Sequence, residues 1–204
     1  MPRPNQTAQR RRELMPIVAA AFAELGYRRA TTAELAERCG VRENILYRLW
    51  ADKKAMFIAA IDYVYEHSVA VWGRLLAAPG ADTSGAERLL AHESQHHGEF
   101  GLYRILFAGL SETDDADIRV ALGDVYRRYQ KFITDRVRDH RAGASGADGP
   151  DASLVSWAVI GLGTVANITR ELRLVSDRQR RRMLAEIGQE LLTGCSERAA
   201  KIPE

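Results

Sequence analysis

Two short constellations carry side chains whose types and spacing suit chemistry. The first is His92-Glu93-Ser94-Gln95-His96. Two histidines four residues apart share one face of a helix, where they can hold a zinc ion with the intervening Glu as general base. The longer zinc-hydrolase pattern fails: Glu99 stands where glycine is expected and Leu102 where a third His is expected. Glu112 stays open as a further ligand, and His92, His96 and His97 stay open as a structural metal group. Catalysis is not expected, and no metal or cofactor is assigned. The second constellation is Arg42, Glu43, Asn44, Ile45, Tyr47 and Arg48. Two arginines, an amide, a phenol and an isoleucine on one short outward face suit the edges of base pairs better than plain solvation. Arg bonds guanine or phosphate, Asn pairs with adenine, and Ile meets a thymine methyl.

The elements that would position this second group are short helices. Thr31-Thr32-Ala33-Glu34 is a capping box before Leu35 and Ala36. Gly40 stops that helix in a tight turn, since glycine accepts positive φ without a Cβ penalty. Val41 opens the next helix, with Leu46, Leu49 and Trp50 inward. A short capped helix, one glycine turn and a second short helix make a helix-turn-helix. The open alternative is a helical hairpin buried in a larger bundle. Asp52 is the expected N-cap of a fourth helix, and Lys53 with that helix's first amides is placed for a phosphate.

Charge supports the DNA-binding reading. The chain's net charge is +2, but residues 1–54 carry +5 and the remainder −3. A basic module on a mildly acidic body is the footprint of a phosphate binder. Arg3 and Arg10-Arg11-Arg12 sit on a Pro-containing N-terminal arm, which either tracks DNA or is a solvated tail. At 204 residues, 46% hydrophobic and 27% charged, the chain has a sizeable core and is not disordered. Cys39 and Cys195 match no metal or redox spacing, which suits a reducing cytoplasm. No stretch approaches the roughly 18 consecutive apolar residues of a membrane span, and no signal-peptide core begins the chain.

Nearly every segment has helical periodicity, so the expected fold class is all-α. Leu14 to Leu25 form a helix closed by Gly26. A fourth helix carries Phe57, Ile61 and Val64 until Pro79-Gly80 and Ser84-Gly85 break it. Two helical stretches cover about 87–110, with Leu89, His92, His96, Phe100, Tyr103 and Phe107 on one face. A long helix then carries Ile118, Leu122, Val125, Tyr129, Phe132 and Val137, and the run 141–150 is a loop. Two last helices cover about 151–174 and 177–197. The former is apolar on nearly all sides, through Trp157, Ile160, Val165 and Ile168. Gly161 and Gly163 permit close helix approach. That composition suits contact with a second copy, or else a central helix buried within one chain.

Phe22-Ala-Glu-Leu-Gly-Tyr27, Thr31-x-x-Glu34-Leu-Ala36-x-x-x-Gly40-Val41 and Ile45-Leu-Tyr47-x-x-Trp50-x-x-Lys53 together resemble the DNA-binding domain of TetR-family transcriptional regulators. The resemblance implies an N-terminal three-helix domain over 1–54 and a helical ligand-binding and dimerisation domain over 55–204. It implies phosphate contacts from Tyr47 and Lys53, and a backbone anchor at Thr31 or Thr32. It also implies a homodimer through the two last helices, including Met183, Ile187 and Leu191. The partners are then a palindromic double-stranded operator and a small effector that releases a repressor. An aromatic pocket of His92, His96, Phe100, Tyr103 and Phe107 would take a hydrophobic effector. The chain departs from the family's usual residues at Arg42 (Ser), Asn44 (Gly), Ile45 (Thr), Arg48 (His), Trp50 (Phe) and Lys54 (Glu), so its operator is not to be copied from other members.

Overall fold

The computed structural model describes residues 4–78, 83–143 and 149–194. Arg3, Pro79-Gly80, the segment 144–148 of the expected loop, Cys195 and the expected last turn up to Glu197 lie outside the described residues. Among the described residues there are nine helices and no strand, so the chain is all-α as expected. They are α1 (Pro4–Arg29), α2 (Thr32–Arg38), α3 (Glu43–Leu49), α4 (Lys53–Ala77), α5 (Gly85–His96), α6 (Tyr103–Leu110), α7 (Ala116–Gly143), α8 (Ala152–Glu171) and α9 (Asp177–Thr193). They form two compact units, the first up to Val69 with Phe100–Tyr126, the second Ala70–Glu99 with the chain from Arg127.

The first unit contains α1 to α3, most of α4, α6 and the start of α7. Its fully buried side chains include Val18, Phe22, Leu35, Leu46, Met56, Phe57, Ile61, Ile105 and Val125. Phe57 meets Phe22 edge-on at 5.0 Å between centroids and Tyr27 at 4.8 Å. The helical stripes of α1 and α4 thus converge on one aromatic cluster that carries the small helices α2 and α3. Phe57→Ala leaves a cavity in this cluster and is expected to destabilise the unit by about 3–5 kcal/mol. Chemical denaturation followed by circular dichroism checks this.

The α1 helix differs from expectation at both ends. It runs from Pro4, so Arg10-Arg11-Arg12 are helical rather than part of an extended arm. A polar run reads as tail by composition, but nothing in it breaks a helix before Pro16, which stands inside α1 without ending it. At the other end Gly26 takes φ +72° and ψ 171°, kinking the chain, and one more helical turn follows to Arg29. Elsewhere in this unit, Asp52 Oδ1 accepts from Ala55 N at 2.7 Å, the expected cap of α4. Asp115 Oδ1 accepts from Asp117 N at 2.9 Å and opens α7.

The second unit is built on α5, α8 and α9, with the later parts of α4 and α7. Ser84 does not merely end the preceding segment: it closes a full capping box with Glu87 and starts α5. Ala86, Val137, Ala152, Val155 and Leu192 form the core, with Leu90, Ile133, Val159 and Leu191 packed on it. Gly188 lets α9 lie against α5, since a Cβ there would overlap Leu90.

In α8 both faces carry apolar residues. Its inner face mixes Ala152, Val155 and Ala166 with the buried polar Ser156 and Asn167, and Ser156 Oγ accepts from Thr134 Oγ1 at 3.0 Å. Its outer face is apolar, with Leu154, Trp157, Val165, Ile168 and Leu172 all 40–65% exposed. This overturns the buried-central-helix alternative, because only 28% of its apolar window is buried. It also corrects the expectation on membrane spans. At 20 residues and mean hydropathy 1.5, α8 is long and apolar enough to cross a membrane by length and composition alone. Ser, Thr and Asn residues interrupt the apolar run in sequence, which hid it from a count of consecutive apolar residues.

Candidate nucleic-acid interface

The helix-turn-helix forms by local rules. Thr31 is the N-cap of α2, its Oγ1 accepting from Glu34 N at 3.2 Å. The box is half made, because the Glu34 carboxylate turns to Arg38 at 3.0 Å instead of closing back on the cap. At the other end Gly40 takes φ +63°. Gly40 N donates to Glu37 O at 2.9 Å and Val41 N to Ala36 O at 3.0 Å. This pair of bonds is a Schellman motif, which ends α2 and reverses the chain. Cys39, its C-cap, is buried, and burial pushes its thiol pKa up.

α3 begins two residues later than expected, at Glu43, with Arg42 as N-cap. As expected from its side chain, Arg42 makes no capping bond. Leu46, Leu49 and Trp50 are buried against the rest of the unit, while Arg42, Glu43, Asn44, Tyr47 and Arg48 are exposed. Ile45 is half-buried, so one of the six outward residues is partly turned in. Tyr47 Oη donates to Thr32 Oγ1 at 3.1 Å, which brings two of the expected backbone contacts side by side. Thr31, by contrast, is engaged as a cap.

Lys53 lies differently from what its motif suggests. Its ammonium donates to Tyr27 O and Ala30 O, both at 3.1 Å, and sits 4.5 Å from the Tyr27 ring centroid. It thereby closes the α1–α2 turn by satisfying two carbonyls at the end of a helix. Lys54 pairs with Asp115 at 3.2 Å and Asp117 at 2.6 Å. The unusual lysine at this position therefore has acidic partners at the start of α7, which hold its pKa high. Asp115 is held below the usual carboxylate range: burial acts against this, but bonds from Ile118 N, Lys54 and Asp117 N outweigh it. Arg28 binds Glu112 at 2.7 Å and Arg38 binds Glu24 at 2.6 Å. Much of the module's basic surplus is thus neutralised internally, and the open cations nearest the reading face are Arg42 and Arg48. None of these ion pairs was visible in the local pattern, since their partners lie 14 to 84 residues away.

The other expected groups are placed as follows. The single face from Leu89 to Phe107 is broken: α5 ends at His96, and Gly98 and Gly101 take φ +70° and +67°. His92 and His96 belong to the second unit, with ring centroids 4.8 Å apart. Phe100, Tyr103 and Phe107 belong to the first, where Tyr103 is buried against Phe107 and Phe100 is exposed beside His67. Glu93, the would-be base, accepts from Trp72 Nε1 at 2.7 Å and bonds His97 Nδ1 at 2.8 Å. Both oxygens of this carboxylate are therefore engaged in hydrogen bonds within the unit. Among the described residues no group of three or more His, Cys, Asp or Glu side chains is placed to hold a metal ion.

Of the residues expected at a dimer contact, Trp157, Gly161, Val165, Ile168 and Ile187 are exposed in the single chain. Ile160, Met183 and Leu191 are half-buried, and Leu191 packs on its own core. Gly163 serves an internal approach instead: a Cβ there would lie 3.0 Å from the His97 ring, whose Nε2 is 3.0 Å from Gly163 O.

A Schellman-turned helix pair with an exposed Arg, Asn, Tyr and Arg face is a helix-turn-helix. Residues 18–60 match the family model of bacterial regulatory proteins, tetR family. The chain is similar in fold to the TetR-family transcriptional regulator of Cytophaga hutchinsonii, at 19% identity and TM-score 0.74 over 92% of this chain and 95% of that one. It is similar to reduced NemR of E. coli at 18% identity and TM-score 0.73, covering 87% and 95%. It is also similar to a protein of Saccharomonospora viridis solved with choline, at 16% and 0.73, covering 89% and 96%. No curated relative matches the chain. Residues 18–60 thus match the DNA-binding domain of the tetR family, and the chain shares its fold with solved TetR-family regulators.

Proposed function

We propose that the chain is a homodimeric repressor that grips a palindromic operator through two copies of α3 and lets go when a small effector binds. The DNA-reading domain is 1–54 and the effector and dimer domain 55–204, and the protein works in the cytoplasm on chromosomal DNA. The observation that carries this reading is the exposed apolar outer side of α8. Leu154, Ala158, Gly161, Val165, Ile168 and Leu172 recur at alternating steps of four and three residues on its outer side. That is the spacing of a helix–helix seam, and Ile187 of α9 extends the apolar area. Two-fold pairing through it would set two copies of α3 on successive major grooves, about 34–36 Å or a multiple apart. Effector release would be a shift between two dimer states and requires different affinity for each. The choline found with one structural neighbour supports a small-molecule effector without giving this chain's own.

Within the interface, Tyr47 with Thr32 is assigned to phosphate, and Arg48, Asn44, Arg42 and Ile45 to base edges, with Glu43 beside them. Lys53 and Thr31 position the pair. Selection of bound duplexes from a random pool tests the whole reading, since it returns either an inverted repeat or none. On the selected duplex, Tyr47→Phe should weaken all sequences alike by a few-fold. Arg48→Ala or Asn44→Ala should instead relax the preferred base at one position per half-site, by about 1–3 kcal/mol. Competition binding against single-base variants of the duplex separates the two patterns.

A further inference from the structure

The recognition helix is short and poorly anchored at its start. α3 has seven residues, and Arg42 caps none of its free amides. A helix this short depends on its surroundings for orientation as well as for stability. Its other end is held from outside. Arg11, on α1 and 38 residues away in sequence, donates from Nε to Leu49 O at 2.6 Å. Leu49 is the last residue of α3, and its carbonyl lies at the negative end of the helix. The neighbouring arginines do other things: Arg10 pairs with Glu13 and Arg12 bonds Gln9, both within α1. So one arginine of a run that looks like a DNA-tracking tail points away from that use, toward the backbone of the reading helix.

We infer that Arg11 is a positioning residue for sequence reading: it fixes the C-terminal end of α3 to α1, and so sets the tilt at which the α3 side chains meet base edges. The inference rests on α3 being the reading helix. Charge-assisted bonds to a carbonyl at a helix end are short and directional, which suits the task. Base-edge contacts tolerate displacements of only about half an ångström. Phosphate contacts, made by long side chains to a continuous rail of anions, tolerate more. Freeing the end of α3 should therefore cost discrimination first and general affinity last.

The test compares the full-length protein with Arg11→Ala and Arg11→Lys. Each is titrated with the duplex chosen by selection and with a scrambled duplex of equal length, at several salt concentrations. Lysine keeps the positive charge but has no donor at the Nε position. The expected result is that both variants lose about tenfold of the preference for the selected duplex, the worth of one charge-assisted bond. Affinity for the scrambled duplex and the slope of log affinity against log salt should stay unchanged. The inference is overturned if Arg11→Ala weakens both duplexes equally and the slope falls by about 0.9 per lost phosphate contact, which marks a direct backbone contact. It is also overturned if Arg11→Lys restores the preference in full, or if neither variant changes it. Should Arg11→Ala fail to fold, the lysine variant and its salt slope decide the matter alone. A wild-type protein with no preference between the duplexes would refute the reading of α3 itself, an outcome that does not involve the variants.

Discussion

Val165→Asp is expected to break the proposed homodimer into single chains in sedimentation at micromolar concentration, with its helix content unchanged. Val165 lies midway along the outer side of α8 and is 47% exposed in one chain. The carboxylate is therefore solvated in the lone subunit and adds little strain to its fold. In a dimer through this seam it would face a second carboxylate across the two-fold axis, in a desolvated setting. Burying an unpaired charge costs several kcal/mol, enough to undo a micromolar association. Affinity for the full operator should fall at least a hundredfold, because two linked half-sites become two independent ones. Binding to an isolated half-site should be unchanged. Persistence of the dimer in the variant would place the subunit contact elsewhere.

The second large effect is expected at Glu93. Its carboxylate gathers Trp72 from α4 and His97 from the α5 terminus, while His97 and Arg170 tie that terminus to α8. Arg170 donates to Gly98 O and His97 O, both at 2.9 Å. Glu93→Ala leaves an indole N–H and an imidazole without their acceptor, and should cost about 2–3 kcal/mol of stability in the second unit. A thermal melt checks this. The pH dependence has a definite sign. Burial alone would raise the Glu93 pKa, but the bonds from His97 and Trp72 and the nearby His charges bring it below its ordinary 4.5. A lowered carboxylate pKa stabilises the fold fully above that ordinary value and ceases to do so as pH falls through the folded value. Wild type should therefore lose stability on acidification below about 4.5, and Glu93→Gln should lack that component. A chelator should change neither curve, in contrast to a zinc site built on His92 and His96.

These two sites differ in how much of them is legible in the sequence. The helix-turn-helix is written locally. Thr31, Gly40 and the spacing of Leu35, Leu46 and Leu49 each act within a few residues, and helix caps and turns are decided at that range. The outward face of α3 follows once the buried residues are known. What sequence reading missed is long-range. The bonds of Lys53 to the carbonyls of Tyr27 and Ala30 are to backbone atoms, invisible in side-chain patterns. Arg11 looks like part of a basic tail for the same reason. In the middle of the chain, the stripe from Leu89 to Phe107 has helical spacing throughout, but two glycines with positive φ break it into two helices. In α8 the apolar excess was legible but its direction was not. Only the partners of Ser156, Gly163, Asn167 and Arg170 reveal that these polar groups face in and leave an apolar side outward.

Cys39 adds a last consequence. Its side chain is buried at the turn between α2 and α3, and burial pushes the thiol pKa up. Oxidants and alkylating agents attack the thiolate, so they find almost nothing to react with while the helices stay together. A modified Cys39 would be a chemical record that α2 and α3 had parted.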